Sequence, residues 1–196
     1  MILVTAFNCF GGLEVNPSEL IVNSIASRPQ GSRSDLVIEV LPTEYRRGGG
    51  RISELIRHFK PEAILCLGVA MGTPTIRIER VALNLDDCEM ADNAGEVALG
   101  RHIEPEGPVG YRSTLPLTGL VRALESRQIP VVISNHAGTF LCNHVFYVAR
   151  HQVEELGIPC QCGFLHVPPL SASLPLPLMV EGIEACISLL RGGKRA

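Results

Sequence analysis

Short apolar, β-branched runs alternate along this chain with segments of helical periodicity, and that alternation restricts the fold more than any other feature. Ile2–Ala6, Leu36–Leu41, Ala63–Leu67, Ile76–Leu85, Val131–Ser134 and Cys160–Val167 read as strands. Between them, apolar residues recur at three- and four-residue spacing. Ile21, Val22 and Ile25 follow a helix start at Asn16-Pro17, where the asparagine caps and the proline occupies the first turn. Ile52, Leu55, Ile56 and Phe59 follow the triple glycine at 48–50, which is expected to end a loop, and Pro61 stops that helix. Leu117, Leu120, Val121 and Leu124 predict a third helix, and Val145, Val148, Ala149, Val153 and Leu156 a fourth that ends at Gly157. Met179, Ile183, Cys186 or Ile187, and Leu190 predict a last helix. Residues 91–115 carry Gly, Pro and charge without periodicity and read as a long loop or small hairpin. Strands separated by helices of this length pair in parallel through right-handed crossovers. The expected fold is a single three-layer α/β/α domain spanning residues 1–196, with a twisted, mostly parallel central sheet.

Composition removes several function classes. The 196 residues carry a net charge of -3, and the Lys194-Arg195 cluster is too short to form a nucleic-acid footprint. Aromatics are 5% with no tryptophan, which argues against a base-stacking surface. No apolar run approaches a membrane span, and the opening MILVTAFNCF lacks the charged and apolar regions of a signal peptide. Seven cysteines, an odd number with no CxxC pattern, suit neither a disulfide framework nor zinc, so reduced thiols and a cytoplasmic location are expected.

Chemistry is expected beyond the carboxyl ends of strands, as in other open α/β sheets. That places attention on the loop after Ala6, on Gly68–Gly72, on the turn leading to Cys142, and on His166. In Ser134–His144 (SNHAGTFLCNH), Ala137-Gly138 turns the chain, Thr139 is a candidate N-cap, and Cys142 falls in the first helical turn. Unpaired N–H groups and the helix dipole favour a thiolate there, although a cysteine at a strand–helix junction is also an ordinary small apolar filler. A nucleophilic thiol needs a base and a group orienting that base. Among six histidines, His58, His102 and His151 read as surface residues. His144 faces elsewhere on the helix, His136 precedes the turn, and His166 ends a core strand stiffened by Pro168-Pro169. Glu79 is a carboxylate inside an apolar strand and needs a partner, either Arg77 or Arg80 or an imidazole.

Four segments in order make the chain resemble the pyroglutamyl peptidase I family of cysteine peptidases. VTAFNCFGGLEVNPSE is similar to the family's VTGFEPFGG…NPS opening, and the Gly68–Gly72 loop followed by IERVALN to its glutamate segment. SNHAGTFLCNHVFY resembles the cysteine segment and GFLHVPPL the histidine segment. The resemblance implies Glu79, Cys142 and His166 as a triad that removes N-terminal pyroglutamate from peptides through a thioester, with no metal or cofactor and as a homotetramer. It also implies a substrate pocket of Phe7, Phe10, Asn16, Val69, Ala70 and Leu141. Phe7 and Phe10 have an ordinary core-packing reading beside this one. The pattern departs at Met71, Thr73, Arg77, His136 and Glu89, where an arginine is usual for the last. The alternatives are a pyroglutamyl-binding homologue with weak turnover, or a cysteine amidase of other acyl specificity. The greasy segment Pro168–Leu178 either lies in a subunit contact or packs on its own domain.

Overall fold

The computed structural model describes residues 1–29 and 34–192; Lys194-Arg195 lies outside them. The elements run β1 (Ile2–Phe7), α1 (Pro17–Ala26), β2 (Leu36–Leu41), α2 (Tyr45–Phe59), β3 (Ala63–Val69), β4 (Ile76–Leu83), β5 (Asp86–Cys88), β6 (Ala98–Arg101), β7 (Gly110–Arg112), α3 (Leu117–Glu125), β8 (Val131–His136), α4 (Leu141–Leu156), β9 (Gln161–Val167) and α5 (Leu176–Gly192). The main sheet has the order β2-β1-β3-β9-β4, with β8 and β7 also paired to β4.

Strands β2, β1, β3 and β9 are mutually parallel, as the apolar runs and crossovers predict. Strand β4 departs from that expectation. It runs antiparallel to β9 and carries β8 parallel to itself. The physical consequence is local: the start of β4 lies beside the end of β9.

Strands alternate their side chains between faces, so one sheet serves two cores. On one face, Val4, Leu65 and Leu165 pack against Ile21, Val22 and Ile25 of α1, Leu120 and Leu124 of α3, and Met179, Ile183, Cys186 and Ile187 of α5. On the other, Leu3, Ile64, Cys66 and Phe164 pack against Ile52 and Ile56 of α2 and Val145, Phe146, Ala149 and Val153 of α4. The layers are therefore α1, α3 and α5, then the sheet, then α2 and α4. Within Pro168–Leu178, Leu174 is buried in the first core and Leu176 and Leu178 pack against it, while residues 170–173 are exposed.

Three local expectations differ. The triple glycine lies inside α2 and does not precede it. A Cβ on Gly48 would stand 2.8 Å from the Pro42 carbonyl, and one on Gly49 2.6 Å from Nε2 of His144. Gly49 thus lets α2 sit close against α4, and Gly48 clears the Pro42 carbonyl, at a helix cost of roughly 1 kcal/mol each. Residues 91–115 contain two short strands: β6 pairs with β5, and β7 with β4. Thr139 does not cap α4. Phe140 holds the cap position, and the Thr139 hydroxyl donates to the Asp87 carbonyl at 2.6 Å. By contrast Asn16 caps α1 as expected, its Oδ1 accepting from Ser18 N–H at 3.0 Å.

Candidate active site

The site grows from strand register. Across the antiparallel β4–β9 pair, Arg77 faces His166 and Glu79 faces Phe164. Glu79 is therefore the diagonal neighbour of His166 on one face, within reach of a side-chain hydrogen bond. Glu79 Oε1 lies 2.8 Å from His166 Nδ1. Glu79 is 0% exposed and His166 6%. With Nδ1 engaged, Nε2 is the nitrogen left to face Cys142, the neighbour that most raises the His166 pKa.

On the other side of β9, His166 pairs with Gly68 of β3. The absence of a side chain at 68 creates the space that the thiol enters: a Cβ there would be 2.7 Å from Cys142 Sγ and 2.8 Å from Phe164 Cζ. The Phe164 ring also packs on His166 at 4.9 Å between centroids. Cys142 arrives on the first turn of α4, before the first intrahelical bond from His144 N–H to the Phe140 carbonyl (3.0 Å). The helix is held there by Asn143, fully buried. Its Oδ1 accepts from Leu83 N–H at 2.8 Å, and its Nδ2 donates to the carbonyls of Leu83 and Leu85, both at 2.9 Å.

The electrostatics favour a protonated His166. Burial by itself would lower the His166 pKa. The negative charge and hydrogen bond of Cys142, followed by those of Glu79, outweigh burial and raise it from 6.5 to about 9. Arg77 joins this group from the side, its Nε 3.6 Å from Glu79 Oε1 and its Nη2 donating to Ser134 Oγ at 2.7 Å. Glu79 thus has both of the partners its burial called for, an arginine and an imidazole. Four other thiols are inert by environment: burial pushes Cys66, Cys160 and Cys186 up to about 12, and Cys162 well above its usual value.

The other histidines are engaged elsewhere. His144 bonds to buried Asp86 at 2.9 Å, His151 to the Tyr111 hydroxyl at 2.9 Å, and His136 Nδ1 accepts from Gly138 N–H at 3.1 Å. His58 packs on Phe59, with ring centroids 4.5 Å apart, and His102 is exposed.

The remaining pocket candidates divide. Phe10 packs on Phe140 at 6.1 Å between centroids, two residues before Cys142. Phe7 is buried against Phe164 (6.5 Å), and Leu141 is buried in the α2–α4 core. Asn16 Nδ2 donates to the Asn8 carbonyl at 3.1 Å, tying the first loop to the start of α1. Asn8 Oδ1 in turn accepts from Thr43 N–H at 2.8 Å. Val69 and half-buried Ala70 follow Gly68, with Ala70 N–H donating to the Val167 carbonyl at 3.0 Å. Glu89 is exposed and forms no hydrogen bond or ion pair among the described residues. Reasoning from sequence placed Gly68 in a site loop without its role, and missed Phe140 and Asn143. Only Asn143 carried a local signal, a side-chain amide in the turn that follows a candidate nucleophile.

Comparison with known proteins identifies relatives of the whole chain. A family model described as pyroglutamyl peptidase matches residues 1–185. Pyrrolidone-carboxylate peptidases of Bacillus cereus and Bacillus mycoides are 35% and 36% identical, each match covering 96% of this chain and 91% of the relative. The pyrrolidone carboxyl peptidase of Pyrococcus furiosus superposes with a TM-score of 0.90 at 29% identity, over 98% of this chain and 98% of that one. Pyroglutamyl peptidase I of Bacillus amyloliquefaciens superposes with a TM-score of 0.87 at 30% identity, over 94% and 93%.

Proposed function

The chain belongs to the pyroglutamyl peptidase family, a family of cysteine-type hydrolases, and from that premise we propose which of its residues carry the reaction. The activity is hydrolysis of peptides that begin with pyroglutamate; the match to a peptidase family over residues 1–185 does not favour a binding-only homologue.

In our reading Cys142 is the nucleophile, His166 the proton carrier and Glu79 the group that orients and charges it. The Cys142 thiolate attacks the pyroglutamyl carbonyl carbon. The carbonyl electrons move to oxygen, and the N–H groups at the start of α4, including that of Cys142, stabilise the oxyanion. As the tetrahedral species collapses, the C–N bond breaks and His166 Nε2–H passes its proton to the departing amine. The products are a free peptide and a Cys142 thioester beside a neutral imidazole. His166 then takes a proton from water as the oxygen adds to the thioester. Expulsion of the thiolate releases pyroglutamate and restores the imidazolium–thiolate pair.

The lactam ring is neutral, so its pocket needs apolar walls and backbone hydrogen bonds. Phe10, Val69 and Ala70 line it, Phe7 and Leu141 support it from the core, and Asn16 holds the first loop in place. Residues 1–196 act as one catalytic domain, located in the cytoplasm and assembled as a homotetramer, which light scattering on the purified protein tests. Among the described residues no helix is long and apolar enough to cross a membrane.

The observation that supports the triad most directly is the 2.8 Å Glu79–His166 contact, on an imidazole whose pKa Cys142 and Glu79 raise together. The test is cleavage of a pyroglutamyl-arylamide. Cys142→Ala abolishes it, while Cys66→Ser retains it. Equal loss in both folded variants removes Cys142 as nucleophile.

A further inference from the structure

We propose that Arg77 is a specificity-determining residue whose guanidinium receives a carboxylate on the residue that follows pyroglutamate, a role that rests on the triad assigned above. That carboxylate is either the C-terminus of a pyroglutamyl dipeptide or the side chain of an acidic residue.

Register puts the guanidinium beside the proton donor. Arg77 is directly opposite His166 across β4 and β9, so the two side chains rise from the same face of the sheet. One carboxylate oxygen separates them: Glu79 Oε1 lies 2.8 Å from His166 Nδ1 and 3.6 Å from Arg77 Nε. The other arginine of β4, Arg80, donates instead to Asn135 Oδ1 at 2.8 Å. Arg77 is therefore the cation that β4 brings to the triad.

Its fork is held in place but not used up. Nη2 donates to Ser134 Oγ at 2.7 Å, which fixes the guanidinium on a buried hydroxyl. The 3.6 Å contact with Glu79 is longer than a hydrogen bond, so Nε is not spent on that carboxylate. Nη1 makes no hydrogen bond among the described residues, and the side chain is 38% exposed. A planar guanidinium, anchored and with unused N–H groups, pairs best with a carboxylate, which accepts two of them at once.

The departing amine brings such a group into range. To take the His166 proton, the scissile nitrogen must lie within hydrogen-bond reach of Nε2, about 3 Å. The α-carboxylate carbon of a dipeptide is two bonds from that nitrogen and the carboxylate carbon of Asp or Glu three or four, at about 1.5 Å per bond. Each is within reach of a long side chain rooted opposite His166. Arg77 is also among the departures from the family pattern, which makes the selection a property of this chain.

The experiment measures kcat/KM at neutral pH for two matched pairs: pyroglutamyl-Glu-amide against pyroglutamyl-Gln-amide, and pyroglutamyl-Ala against pyroglutamyl-Ala-amide. The members of a pair differ in one carboxylate, and the pair that responds identifies whether a side chain or a free C-terminus is read. A hydrogen bond between charged groups is worth about tenfold, so the acid-to-amide ratio should fall by about that factor from the wild type to Arg77→Ser in at least one pair. Arg77→Gln, closer in size, gives the same readout. Any effect of Arg77 through Glu79 or on folding is common to both members and cancels in the ratio. Ratios that are equal in the wild type and the variants, in both pairs, overturn the inference and leave the hydrolase reading intact. Failure of the wild type to cleave any of these peptides overturns that reading and the inference with it.

Discussion

Gly68 and Cys142 are two halves of one close approach: the space a Cβ would need on β3 is taken by the thiol on α4, 2.7 Å away. The glycine is there for volume, since its backbone belongs to a regular strand. Gly68→Ala must displace Cys142, the Phe164 ring or both. Misplacing a reacting atom by about 1 Å costs on the order of a hundredfold in rate. Overpacking a core position costs about 1–3 kcal/mol in stability. We expect kcat/KM for a pyroglutamyl-arylamide to fall by about that hundredfold in protein that still folds, as judged by thermal unfolding.

Glu79→Gln tests the orienting carboxylate. The amide keeps the shape, but removes a charge that favours the imidazolium and presents an NH₂ group to Nδ1. Loss of the analogous group in a Ser-His-Asp triad lowers kcat on the order of 10⁴, and a loss of roughly a thousandfold or more is expected here. The alkaline limb of the pH–rate profile should also move to lower pH. An unmoved limb would remove Glu79 from that role.

The raised His166 pKa sets a pH window. The folded value, about 9, lies above the free value of 6.5. The contribution of this pair to stability is therefore complete below about 6.5 and is lost as pH rises through about 9. Acylation should fail over the same upper range, because a neutral His166 has no proton for the leaving amine. A stopped assay of kcat/KM from pH 6 to 10, beside chemical denaturation at the same points, measures both.

Arg77 is a positioning residue near the triad, and its cation opposes the His166 charge while drawing on the same Glu79 oxygen. The Arg77 side chain is 38% exposed, so solvent screens the interaction and the effect is small. Arg77→Ser should move the alkaline limb upward by less than about one pH unit. A downward shift, or none, would show that Arg77 does not act through Glu79.

Asn143→Ala removes all three side-chain hydrogen bonds that hold the start of α4 to β4 and the following loop. Leaving buried backbone groups unpaired costs about 1–3 kcal/mol, read as a lower denaturant midpoint at unchanged slope. Because the pinned turn carries Cys142, kcat should fall as well, whereas an equally destabilising change in α5 should leave kcat unaffected.

Much of the architecture was legible because burial on both faces of a sheet writes itself as continuous apolar runs. Ile2–Ala6 and Ala63–Leu67, buried at every residue, are placed by that rule, and the stripe of Ile21, Val22 and Ile25 by helical periodicity. Asn16-Pro17 marks its helix start for an equally local reason, a side-chain acceptor followed by a residue with no N–H to satisfy. The triple glycine misleads because its purpose, close passage of α2 over His144, is not local. Strand β4 misleads because an apolar run is the same read in either direction.

The sequence by itself determined the layered fold, the family motifs and a short set of reactive residues, since periodicity, capping and motif spacing are properties of neighbours along the chain. Only the tertiary structure decided that β4 runs against β9, which makes Glu79 the diagonal neighbour of His166. It alone decided that Gly68 leaves room for the Cys142 thiol and that Asn143 pins its helix. Those relationships join residues 58 to 87 positions apart, where contact depends on strand direction, register and packed volume.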